Sequence, residues 1–176
     1  SSIVYIDTLE SRAPPPQEQH NAVFKMTVEE RELGFLSRFL TRAEADAQLG
    51  RGKWRPQPRH AIWQNDKWRL IDDALRGLQN GAYASEETIH TTSSATGVAI
   101  ARRMRQILGR QLAGRWAVDV SSQDMWKAYR QVPVDAEQAL LMLVCFWHPE
   151  QRQWMYAIPS ALLFGYTGSV IHFNRV

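Results

Sequence analysis

His60-Ala61-Ile62-Trp63-Gln64 and Lys67-Trp68-Arg69-Leu70-Ile71 flank the dipeptide Asn65-Asp66. Two runs of β-formers on either side of a two-residue polar turn predict a β-hairpin. Alternation along the second run sets Lys67 and Arg69 on one face and Trp68 and Leu70 on the other, toward a core. Downstream, Leu140 to Trp147 is continuously apolar and bounded by His148-Pro149, the pattern of a strand buried on both faces. Gln153 to Ile158 reads as its hairpin partner, and Trp116 to Val120 as a further strand. Helical patterning starts at Thr27, with Thr27 and Glu30 in capping-box register and Leu33, Leu36 and Phe39 following. Thr41 opens another helix that Gly50 ends, Ser94 to Leu112 forms a third, and Leu162 to Val176 a fourth. In that last helix Leu163, Val170 and Phe173 are the expected core residues. Upstream, Ile3 to Ile6 suggests a short strand, and Ser11 to Asn21, with Pro14-Pro15-Pro16, an extended linker. Hairpins mixed with helices give an α+β architecture.

Composition narrows the function classes. The 176 residues suffice for one domain with a real core, and 44% of them are hydrophobic. The longest apolar run, Ala139 to Trp147, is half the roughly 18 residues of a membrane span, so no membrane partner is expected. The single cysteine, Cys145, excludes an internal disulfide and fits a buried thiol in a soluble protein of a reducing, intracellular compartment. The net charge of +3 permits a polyanionic partner without demanding one. A first residue that is not methionine, and a last one inside an apolar pattern, suggest that both ends are truncated.

Three groups of residues bear on chemistry. Lys67 and Arg69, projecting together from a hairpin, suit a triphosphate, because guanidinium grips phosphate oxygens with paired hydrogen bonds; the same alternation also describes a solvated charged face. Asp124, near a strand end and five residues before Tyr129, can offer the hard oxygen that Mg²⁺ prefers; a surface aspartate beside a core tyrosine has the same spacing. Gly165, Gly168 and Ser169 would line one helix face, open either to something flat or to close helix packing.

The order of these groups is more telling than any one of them. Lys67-Trp68-Arg69-Leu70-Ile71-Asp72-Asp73, then Asp124-x4-Tyr129 followed by Arg130-Gln131-Val132-Pro133, then Phe164-Gly165 leading to Phe173-Asn174-Arg175, resembles the reverse transcriptases of retroelements. The resemblance covers about Trp54–Asp73, Arg115–Val134 and Trp154–Val176. It implies the fingers and an incomplete palm of a right-hand polymerase. On that pattern residues 1–25 are an extended leader, 26–114 are fingers-like and 115–176 are partial palm. Lys67 and Arg69 would meet the incoming deoxynucleoside triphosphate, and Asp124 would be the first catalytic metal ligand. Tyr129 would be the gate against a ribose 2′-hydroxyl, and Phe164 and Gly165 would lie against nucleotide and template. Asp119 is a rival ligand on the preceding strand, and Asp72 and Asp73 would be structural.

The partners implied are a primer–template, a deoxynucleotide and two Mg²⁺. Leu162-Leu163-Phe164-Gly165 departs from the Leu-Pro-Phe-Gly of that group, and no Asp-Asp hairpin follows Val176. One carboxylate does not hold two dications about 4 Å apart, so the chain alone is expected not to polymerise. Two other readings stand beside this one. The first is a non-catalytic relic or module that binds nucleic acid through Arg102, Arg103 and Arg105. The second is an unrelated α+β interaction domain. An incomplete palm would also leave Leu140–Trp147 as an open sheet edge.

Overall fold

The predicted hairpin is the edge of a four-stranded mixed sheet. In the computed structural model, which describes residues 1–82, 84, 94–111 and 124–174, β1 (Gln57–Gln64) pairs antiparallel with β2 (Lys67–Asp72). Asn65 and Asp66 both take positive φ, 52° and 56°, the type I′ geometry that matches strand twist. β3 (Val144–His148) pairs parallel with β1 and antiparallel with β4 (Gln153–Ala157), giving the order β2-β1-β3-β4. The residues divide into two compact units, one of Ser1–Ala84 with Lys127–Val176 and one of Ser85–Trp126. The first holds all four strands, and the chain is α+β.

Helices cover both faces of that sheet. α1 (Ser2–Glu10) sends Ile6 and Leu9 into a cluster with Leu40, Trp54, Cys145 and Tyr156. The Tyr156 hydroxyl donates to Glu10 at 2.6 Å, and Arg42 pairs with Asp7 and Glu10 at 2.6 and 2.7 Å. The expected strand at Ile3–Ile6 is therefore helix. Its β-branched residues have modest helix propensity, and burial of the Ile6–Leu9 stripe overrides it. α2 (Gln17–Glu32) starts directly after the proline run, with Pro16 at its N-cap, so only residues 11–16 are non-helical in the expected linker. α2 packs on β1 and β3, with Val23 against Ala61, Phe146 and Met155.

Thr27 does not start a helix but lies inside α2, fully buried, its hydroxyl donating to the Val23 carbonyl at 2.7 Å. Leu33, Leu36 and Phe39 lie past the helix end. α3 (Arg42–Leu49) has the expected Thr41–Glu44 capping box and the Gly50 stop, at φ 87°.

Val144, Cys145 and Phe146 are each sealed in a different cluster, on alternating sides of the sheet, as a strand buried on both faces requires. The strand is shorter than the apolar run: Leu140 and Leu141 precede it and are exposed, after α4 (Gln79–Ala82) and the single turn α6 (Ala136–Ala139). Nor is β3 an edge. It lies between β1 and β4, and the outer side of β4 is taken by the chain near Leu40, which exchanges two backbone hydrogen bonds with Tyr156.

The last helix, α7 (Thr167–Phe173), is also shorter than expected. Leu162 and Leu163 are buried before it begins, Ile171 is buried within it, and Val170 is exposed. In the second unit α5 (Ser94–Gln111) carries Arg102, Arg103 and Arg105, all exposed, with Val98 and Met104 exposed as well. Trp116–Val120 and Asp119 lie outside the described residues.

Candidate functional site

The register of the β1–β2 hairpin sets Arg59 opposite Asp72. Both are buried, on the face turned toward α2, and Arg59 Nε donates to Asp72 Oδ1 at 2.7 Å. From α2, Glu30 accepts from Arg59 Nη2 at 2.6 Å, and Thr27 accepts from Nη1 at 3.1 Å. A second guanidinium enters from the short 3-10 turn Ala128–Gln131. Arg130 clasps the Glu30 carboxylate with Nε and Nη2, both at 2.8 Å, reaches Asp72 at 3.4 Å and donates to the Leu162 carbonyl at 3.1 Å. Two cations face two carboxylates, so the cluster is neutral as a whole. Burial pushes the Glu30 carboxyl up, but Arg59 and Arg130 outweigh it and hold Glu30 below the usual carboxylate range. Arg59 is fully buried yet fixed in its charged form, as Asp72 and Glu30 overcome its desolvation.

A small cleft of about 110 Å³ opens beside this cluster, lined by Leu70 and Asp72 of β2, by Glu30, by Lys127, Tyr129 and Arg130, and by Phe164. Tyr129 meets Phe164 edge-on at 5.0 Å and Phe173 at 5.3 Å. The Phe164 carbonyl accepts from the Asp72 amide at 3.2 Å, which seats the loop before α7 against the end of β2. Gly165 is required there: its φ is +96°, and a Cβ would collide with the Asp72 carbonyl. Asn80 holds the same loop, donating to the Gly165 carbonyl at 3.0 Å and accepting from the Thr167 amide at 2.7 Å. Lys127, at the rim, pairs with Glu29 at 3.0 Å. Ligand pockets commonly enclose roughly 300–1,000 Å³, so a cleft this small admits the edge of a sugar or ring rather than a whole nucleotide.

The expected site residues distribute unevenly. Tyr129, Phe164 and Gly165 come together. Lys67 and Arg69 are exposed and project from the face of β2 opposite Leu70, which lines the cleft. Among the described residues neither makes an ion pair. Asp124 belongs to the second unit and is exposed. Among the described residues no three His, Cys, Asp or Glu side chains form a metal-binding group. Gly168 and Ser169 are buried in α7, which favours close packing for that pair. Asp72 is structural, as a member of the ion cluster. Asp73 caps the following turn by accepting from the Arg76 amide at 2.9 Å.

In the sequence Glu30 reads as a helix cap and Arg130 only as part of a motif, and Arg59 is not singled out. A signal existed for one pair: a two-residue turn at Asn65-Asp66 fixes the register outward to Arg59 opposite Asp72. No family model matches the chain, and no curated protein matches it. Among the described residues no helix is long and apolar enough to cross a membrane.

Proposed function

We propose that this chain is a reverse-transcriptase-like polymerase region, fingers with the first part of a palm, that binds a primer–template and a deoxynucleoside triphosphate. The observation that supports this most is convergence. Three stretches far apart in sequence, each carrying part of the resemblance, line one cleft: Leu70 and Asp72, Lys127 to Arg130, and Phe164. In this reading Tyr129 and Phe164 form an aromatic floor for the sugar and base, and the buried ion cluster holds that floor rigid. Lys67 and Arg69, exposed on the face of β2 turned away from the cleft, supply contacts to primer–template phosphates, and Asp124, in the second unit, is the first ligand of a magnesium site that needs further carboxylates. The chain alone therefore binds without extending.

The test is fluorescence anisotropy of a labelled primer–template at rising salt, beside primer extension on poly(rA)·oligo(dT) with Mg²⁺. Binding that weakens steeply with salt and no extension are expected, since phosphate contacts release counterions. Absence of salt-dependent binding sinks the reading. Template-dependent incorporation that disappears in Asp124→Asn would overturn the predicted inactivity.

A non-catalytic nucleic-acid module is the second reading, favoured by Arg102, Arg103 and Arg105 all being exposed on α5. It predicts primer–template binding unaffected by Tyr129→Ala and lost on replacing those arginines.

A further inference from the structure

A second cavity of the first unit shares no lining residue with the aromatic cleft. It encloses about 480 Å³, within the usual range for small-molecule sites. Its walls are mainly apolar, from Trp54, Leu78, Leu140, Leu141, Met142 and Leu162. Leu78 and Leu141 are 56% and 67% exposed, so the cavity mouth offers apolar surface to solvent. Hydrogen bonds across the walls preform it: Gln79 Nε2 donates to the Arg55 carbonyl at 2.7 Å and lies 3.4 Å from that of Leu141.

The charges are one-sided. Lys53 and Arg55 line the cavity, and among the described residues no aspartate or glutamate does. Arg55 is held in place, its Nε donating to the Gly77 carbonyl at 2.8 Å and its guanidinium stacked 3.7 Å above the Tyr5 ring. Among the described residues neither Lys53 nor Arg55 has a carboxylate partner, so both cations are available to an incoming anion.

We infer that this cavity binds a small amphiphilic monocarboxylate, with its apolar body against the leucine walls and its acid group toward Lys53 and Arg55. The size of the cavity sets the ligand size, the walls select the apolar body, and the uncompensated cations select the sign of the head. This site is independent of the polymerase reading.

Calorimetric titration of the whole chain with decanoate, and separately with decyltrimethylammonium, tests it. Saturable one-site binding of decanoate is expected, at least tenfold tighter than the cation of equal chain length. Lys53→Glu, at an exposed position without an ion pair among the described residues, and Leu141→Glu, at the mouth, should each weaken decanoate at least fivefold. Near-ultraviolet circular dichroism verifies that both variants keep the fold. Equal affinity for the two amphiphiles, no saturable decanoate binding, or decanoate affinity unchanged in both folded variants would each overturn the inference.

Discussion

The two ends of the β1–β2 hairpin are built from similar residue types and treat them in opposite ways. At its base, Arg59 and Asp72 are buried and locked into a four-membered charge cluster with Glu30 and Arg130. At its tip, Lys67 and Arg69 stand in solvent on the same face as Ile62, which is 41% exposed. A charge taken out of water must be fully paired, and it then dictates which elements meet; a charge left in water dictates nothing about the fold and remains available to a ligand. The base ties together α2, both hairpin strands and the turn at Tyr129, whereas the tip is free to serve binding.

The sharpest way to break this contrast is Arg59→Met. It leaves Asp72 and Glu30 buried with one cation fewer, and a loss of about 3–5 kcal/mol is expected, read from the urea midpoint. A loss below about 1 kcal/mol would show that the cluster is not what joins α2 to the hairpin.

A smaller effect comes with acid. Glu30 titrates below the ordinary carboxylate range when folded, so its contribution to stability is complete above about pH 4.3, the unfolded value, and fades as pH falls through its folded value. Urea midpoints measured between pH 6 and pH 2 should decline less steeply in Glu30→Gln than in the wild type. Parallel slopes would remove Glu30 from the acid response.

The smallest effect belongs to the tip. Lys67→Ser with Arg69→Ser should change stability by no more than about 0.5 kcal/mol, as for exposed positions generally. It should still weaken primer–template binding about tenfold, read by fluorescence anisotropy at fixed salt. Unchanged primer–template affinity would make the tip a solvated face and nothing more.

The same contrast explains what could be read from the sequence. Signals that are local and have one meaning were legible: the Asn65-Asp66 turn, the Thr41–Glu44 box with its Gly50 stop, and the buried strand with its partner. Signals with two meanings failed. Thr27 and Glu30, three apart, fit a helix start, but the same spacing sets two side chains on one face inside a helix, and the guanidinium of Arg59 decides between them. At the last helix, Gly165 looked like part of a small-residue face, but it adopts positive φ ahead of the helix so that its loop can reach Asp72. Of the site, the resemblance singled out Tyr129 and Phe164 separately, and their contact is visible only in the folded chain. The cluster behind them was no more legible, because Glu30 and Arg130 are a hundred residues apart and only the folded chain brings them together.

The docking of α1 has a consequence for chemical labelling. Ile6 and Leu9 cover the side of the sheet on which Cys145 lies, and burial pushes that thiol well above its ordinary value. Maleimide modification of Cys145 thus becomes a clock for excursions of the amino-terminal helix: the sulfur stays silent while the helix is seated and reacts only in molecules that have let it go.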